Sequence, residues 1–136
     1  MTDSKVDWDQ LVNALRDELQ EKGGLIRLLN QQTEMLYRRD NAENQRLEEQ
    51  IRAQLLLVAR CTRDRELALR QTAAKLDLID DVQPSEVIRS FPEYVHPLLE
   101  ALFSEVDRLS NRMSERLKQN QGLKQRFICE ASPAGS

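Results

Sequence analysis

Tyr37-Arg38-Arg39-Asp40-Asn41-Ala42-Glu43-Asn44-Gln45-Arg46 is the stretch that decides how this chain folds. It is almost devoid of apolar residues, yet it lies between two segments with a strong helical repeat. Within it, Asp40-x-x-Glu43 resembles a capping box, in which the Asp40 carboxylate accepts from the Glu43 backbone N–H and the Glu43 side chain reaches back. A tight turn followed by a helix start at Asn41 makes two antiparallel helices, at about 7–38 and about 41–79. The competing reading is one unbroken helix of about 70 residues, which needs a partner chain along its length. The turn is favoured because the apolar repeat lapses here.

Outward from this stretch, apolar residues recur at alternating three- and four-residue steps. Trp8, Val12, Leu15, Leu19, Ile26, Leu29 and Leu36 form one seam, with Lys22 at the position between Leu19 and Ile26. Leu47, Ile51, Leu55, Val58, Leu69, Leu76 and Ile79 form a second, and Leu102, Val106, Leu109, Met113, Asn120, Leu123 and Phe127 a third. Such spacing keeps one stripe of a helix facing a partner helix over many turns. Asp7 suits the N-cap of the first helix. Gly23-Gly24 interrupts that helix without shifting the phase of its seam, which predicts a weakened or kinked helix, a hinge, or a close approach of another helix.

After the second helix, Asp80-Asp81-Val82-Gln83-Pro84-Ser85 opens a connector. Pro84 suits the first position of a short helical turn at 84–90. A proline deep in a helix costs about 3 kcal/mol, so the third long helix starts between Pro92 and Pro97, with Pro97 in its first turn, and spans about 92–128. Residues 130–136 read as a disordered tail after a single helical domain at 1–129. The predicted fold is all-α: a long antiparallel helical hairpin plus a third long C-terminal helix, a three-helix bundle or coiled coil.

Composition agrees. Charged residues make up 32% of the 136 and aromatics 4%, which suits long exposed helices better than a sandwich or an α/β enzyme. The formal net charge of −3, with both signs interspersed, argues against a general binder of nucleic acid or anionic membranes. The chain lacks a run of about 20 apolar residues that could insert in a bilayer, and its start, Met1-Thr2-Asp3-Ser4-Lys5, does not read as a signal peptide, so the expected location is the cytosol. Cys61 and Cys129 match no metal spacing and read as free thiols.

Catalytic chemistry is not indicated. His96, the single histidine, lies between a valine and a proline and suits a helix start. Neither a phosphate-binding loop nor a dinucleotide fingerprint is present, and no cofactor or metal is expected. Arg60, Arg63, Arg65 and Arg70, with Asp64 and Glu66 among them, read as a solvated face with intrahelical ion pairs, or alternatively as a docking patch for an acidic partner.

What remains is surface. Trp8, Leu11, Tyr37 and Phe127 are the large residues to test for partner contact, although structural core is the first reading for each. The third helix carries Met113, Leu117, Leu123, Phe127 and Ile128 on adjacent stripes, wider than one seam requires. Such a face suits helix-on-helix recognition, closure of a three-helix bundle, or pairing with a second copy.

The chain also resembles the FlgN-type flagellar type III export chaperones. Glu34-Met35-Leu36-Tyr37-Arg38-Arg39-Asp40 falls where that family has an early E-x-x-x-L element before a turn. Arg63 or Arg65, followed by Leu67 and Leu69, falls at its arginine, and Phe91-Pro92 with Pro97-Leu98-Leu99 at the segment before its last helix. Arg116-Leu117-Lys118-Gln119-Asn120-Gln121-Gly122-Leu123 looks like its asparagine-containing end, with Leu117 where a further asparagine is usual. The resemblance implies a cytosolic chaperone that binds hook-associated proteins, keeps them unassembled and delivers them to the export apparatus. It implies a client-binding region on the last helix, carried over with its neighbours to Met113, Leu117, Asn120, Leu123, Lys124 and Phe127. The alternative is a structural coiled-coil protein whose seams serve self-assembly into a homo-oligomer, including a rod-like component that contacts the export machinery.

Overall fold

The computed structural model describes residues 8–78 and 83–131, with side chains placed through residue 128. The Asp7 cap, the seam end at Ile79, Asp80-Asp81 of the connector, the Cys129 thiol and residues 132–136 of the expected tail lie outside what is described. The described chain is all-helical. Helix α1 spans Trp8–Arg38, α2 Asn41–Lys75, α3 Pro84–Arg89 and α4 His96–Ala131, with a 3-10 turn at Glu93–Val95 before α4.

The α1–α2 turn forms where the apolar repeat lapses. Arg39 takes a left-handed backbone (φ 59°), and Asp40 N–H donates to Met35 O at 3.0 Å while Arg39 N–H donates to Leu36 O at 3.1 Å. These two bonds make a Schellman closure, which satisfies the last carbonyls of α1. Asp40 Oδ1 then accepts from Glu43 N–H at 3.1 Å and caps α2. The reciprocal half of the capping box is absent. Asp40 N–H is already spent on Met35, and the Glu43 carboxylate turns to Arg46 instead.

Helix α2 ends earlier than its apolar spacing suggests. Asp77 also has φ 59°, and Leu78 N–H reaches back to Ala73 O at 2.9 Å in a second Schellman closure. The reversal lets both Leu76 and Leu78 pack on the core, which a continued helix would not do. Pro84 opens α3 at its first position, and Gln83 N–H lies 3.4 Å from Glu86 Oε1. Pro97 sits in the first turn of α4, where its missing N–H has no helical partner to lose. Beside it, His96 Nε2 lies 2.7 Å from Phe91 O. A carbonyl only accepts, so Nε2 carries the proton, and the ring ties the start of α4 to the preceding turn.

The helices run up, down and up. Gln10 of α1 meets Gln71 of α2, and Gln32 meets Asn44, so these two are antiparallel. Trp8 meets Phe91 and Tyr94 before α4, whereas Tyr37 meets Phe127 near its end, so α1 and α4 are parallel. Helix α1 is the spine, packing against both α2 and α4. Its buried positions Leu11, Leu15, Glu18, Lys22, Leu25, Leu29, Gln32 and Leu36 make a heptad stripe that shares Leu15, Lys22, Leu29 and Leu36 with the apolar seam and adds Leu11, Glu18, Leu25 and Gln32 beside it. Polar residues at three of those positions conceal the stripe from an apolar count.

The core is divided in two. A lower cluster around Leu11, Leu15, Val87, Leu99 and Val106 includes the α3 connector, and Trp8 packs edge-on against Phe91 at 5.8 Å. An upper cluster around Leu25, Leu29, Leu47, Ile51 and Val58 takes Met113 and Leu117 from α4.

Helix α1 continues unbroken through Gly23-Gly24. At Gly24 an added Cβ would lie 3.2 Å from Gln54 Nε2, which donates to Glu21 O at 2.9 Å across the hairpin. Gly24 therefore admits a side chain of the neighbouring helix. Gly23 and Gly122 face open space. Gly23→Ala and Gly122→Ala are each expected to stabilise the fold by about 1 kcal/mol, the helix-propensity gain, seen as a rise of a few degrees in Tm. Gly24→Ala should gain less, because the Gln54 amide must shift.

Candidate functional site

The distal end of α4, where it lies against the hairpin tip, contains the residues singled out from the sequence. Two open clefts flank it. One, of about 420 Å³, runs between α2 and α4 and is lined by Ile51, Arg52, Leu55, Leu117 and Lys124 among others. The second, of about 460 Å³, lies at the hairpin tip and is lined by Met35, Leu36, Arg39, Phe127 and Ile128 among others. Glu48 and Lys124 line both clefts, and their ion pair at 2.9 Å bridges α2 to α4 between them.

The six predicted residues occupy three different environments. Met113 and Leu117 are half-buried and pack on the upper cluster, and Leu123 is buried. Asn120 is 1% exposed. Its Nδ2 donates to Leu29 O at 3.0 Å and Gln32 Oε1 at 2.9 Å, and Thr33 Oγ lies 2.6 Å from its Oδ1. Gln32 Nε2 in turn donates to Asn44 Oδ1 at 3.1 Å, so one chain of amides ties α4, α1 and α2 at this level. Lys124 is half-exposed in its pair with Glu48. Phe127 is half-buried beneath Tyr37, with ring centroids 6.4 Å apart, and the Arg39 guanidinium sits 4.7 Å from its centroid.

The apolar surface a partner can reach therefore lies at the edge of the predicted set. Tyr37 is 61% exposed and Ile128 64%; Ile128 and Phe127 line the tip cleft, and Tyr37 lies edge-on against Phe127. Arg39 and Lys124 place positive charge on its rim, with Glu48 the carboxylate among its lining residues. Ile128 was one position of the wide apolar face read from the sequence. Arg39 belongs to the polar turn stretch and Met35 to the element at 34–40, and neither reads as a cleft residue, since the left-handed backbone at Arg39 has no apolar periodicity.

A feature the sequence concealed lies halfway down the bundle. Glu18 is fully buried (0% exposed) between the two apolar clusters. Its carboxylate accepts from Lys22 Nζ at 2.7 Å, Thr62 Oγ1 at 2.9 Å and the Arg65 guanidinium at 2.8 and 3.2 Å. Lys22 Nζ also donates to Ser110 Oγ at 2.6 Å, which brings α4 into the network. Burial pushes the Glu18 carboxyl up, but the hydrogen bonds from Arg65, Lys22 and Thr62 outweigh it and hold the group below the ordinary carboxylate range. Arg65 thus points inward, in contrast to the solvated face read for the arginine cluster, whereas Arg60, Arg63 and Arg70 are exposed.

These polar groups satisfy one another. Among the described residues, no buried side-chain polar atom lacks a partner, and no three His, Cys, Asp or Glu side chains converge as metal ligands would. Burial and the charges of Glu21, Asp17, Asp64 and Glu18 raise the Cys61 thiol, which makes it a poor nucleophile at neutral pH. What the molecule offers is side-chain surface on long helices. Among the described residues, no helix is long and apolar enough to cross a membrane.

No protein-family model, curated protein or solved structure matches this chain.

Proposed function

We propose that this chain is a cytosolic flagellar type III export chaperone that binds hook-associated proteins and keeps them unassembled until export. The observation that carries the reading is the open apolar cleft at the hairpin tip, lined by Phe127 and Ile128, with the exposed Tyr37 against Phe127 beside it. An exposed apolar patch suits the amphipathic terminal segment of a protein that polymerises. Aromatic and aliphatic anchors supply the affinity. The resemblance of the sequence to the FlgN-type chaperones supports the same reading. Such a role requires no cofactor.

The test is a titration of purified hook-associated protein against the full chain by calorimetry. Tyr37→Ser combined with Ile128→Asp changes only exposed side chains. It is expected to weaken binding at least tenfold, the loss of about 1.4 kcal/mol or more that removal of two anchors brings. Circular dichroism and Tm should stay near those of the parent. Unchanged affinity in the variant would remove the cleft from the reading. Absence of binding by the parent chain would end the chaperone assignment.

A further inference from the structure

Helix α2 carries a second stripe on its outer side, whose Arg52 edge also borders the cleft between α2 and α4. Arg52, Leu56, Arg60, Arg63, Leu67 and Arg70 follow one another at three- and four-residue steps, so they share one side of the helix. All six are exposed. Leu56 keeps 71% of its surface and Leu67 46%, on a helix that has a complete buried side of its own.

The four arginines of this stripe make no ion pair with any described carboxylate. Elsewhere three exposed arginines pair within their own helix, Arg38 with Glu34, Arg46 with Glu43 and Arg108 with Glu105, while Arg16, Arg27 and Arg112 form no ion pair with a described carboxylate but do not line up with exposed leucines on one helix face. The α2 stripe had the same opportunity, since Asp64 follows Arg60 by one turn and Glu66 precedes Arg70 by one turn, yet neither pair forms. The result is a cationic stripe with two apolar anchors, in a chain of net charge −3.

From this stripe we infer that the outer face of α2 is a docking surface for an acidic amphipathic helix of another protein. Leu56 and Leu67 stand about 16 Å apart along the helix axis, three turns, which sets the spacing of two apolar anchors on the partner. Arg60 and Arg63 lie between them, so the partner carries carboxylates between its anchors, and Arg52 and Arg70 extend the match at either end. A second copy of the chain fits poorly. In a two-fold antiparallel pairing Leu56 meets Leu67, but Arg60 meets Arg63 and Arg52 meets Arg70, which sets like charges against each other. Nucleic acid would use the arginines and leave both leucines idle. This surface is separate from the tip cleft and does not depend on the chaperone reading.

The probe is a fluorescent helical peptide with leucines eleven residues apart and glutamates at the three- and four-residue steps between them. It is titrated into the full chain and followed by anisotropy. Binding is expected, and it should weaken as salt is raised from low to physiological strength. Replacing the peptide's glutamates by glutamine should weaken binding at least tenfold. Arg60→Glu with Arg63→Glu should do the same while helix content is unchanged, and a lysine version of the peptide should then bind the variant better than the parent. The inference is overturned if the acidic peptide fails to bind, or binds no better than its glutamine version. Tighter capture by phosphatidylglycerol vesicles or duplex DNA would also overturn it, as would a dimer in sedimentation that Arg60→Glu strengthens.

Discussion

Glu18→Gln is expected to lower the stability of the protein by about 3 kcal/mol, because it removes the one anion that two cations share in the interior. Glu18 is fully buried, and the side chains of its partners Lys22 and Arg65 are 5% and 17% exposed. Among the described residues Lys22 Nζ has Ser110 Oγ as its one other partner, so a neutral amide at position 18 leaves its charge without compensation. Urea denaturation measures the loss. Replacing the whole set, Glu18→Leu with Lys22→Leu and Arg65→Met, should recover most of it, because no charge is then left inside. If Glu18→Gln costs less than about 0.5 kcal/mol, as substitutions at an open surface do, the buried network is not what joins the two cores.

The same group sets an acid limit. The Glu18 carboxyl lies below its ordinary value in the folded chain, so the folded state binds the proton less readily than the unfolded one. Its stabilisation is complete above the ordinary glutamate range, about 4.3, and is lost as the pH falls through the lowered folded value. The parent should therefore lose stability below about pH 4.5 more steeply than Glu18→Gln, which has no proton to take up.

Asn120→Asp is expected to be the other severe change, with a loss of about 3 kcal/mol at neutral pH. Asn120 Nδ2 serves two acceptors, Leu29 O and Gln32 Oε1. A carboxylate in its place sets oxygen against oxygen in a site 1% exposed. Gln32 can turn its amide only by giving up Asn44, and the Leu29 carbonyl cannot turn at all. The pH dependence has the opposite sign to that of Glu18. Burial with the Thr33 hydroxyl as the one donor at hand raises the new carboxyl, so the folded state binds the proton more readily and stability recovers as the pH falls. Thermal melts at two pH values on both variants separate the effects. If Asn120 served only a partner, Asn120→Asp would leave Tm near that of the parent.

Much of the path of the chain is legible in its letters. The polar stretch around Asp40 marks the turn, since a loss of apolar residues between two seams has no cheaper explanation than a reversal. Pro84 and Pro97 mark helix starts because proline tolerates only the first turn. The end of α2 was not legible. The left-handed Asp77 belongs to a closure chosen by the packing of Leu76 and Leu78, and apolar spacing continues past it. The candidate surface was legible only in part. Phe127 and Lys124 reach the tip cleft, whereas Asn120 and Leu123 turn inward, because a helix that covers a hairpin spends its most regular apolar positions on the core.

The sequence by itself determined helix type, number and order, because three- and four-residue spacing, glycine and proline act within a few turns of themselves. Only the tertiary structure decided that Glu18, Lys22 and Arg65 belong inside and that Arg60, Arg63 and Arg70 remain outside. A charged residue at a seam position reads the same whether its partner is water or a carboxylate on another helix. The answer depends on groups more than forty residues away, Arg65 for Glu18 and Ser110 for Lys22, which no local pattern contains.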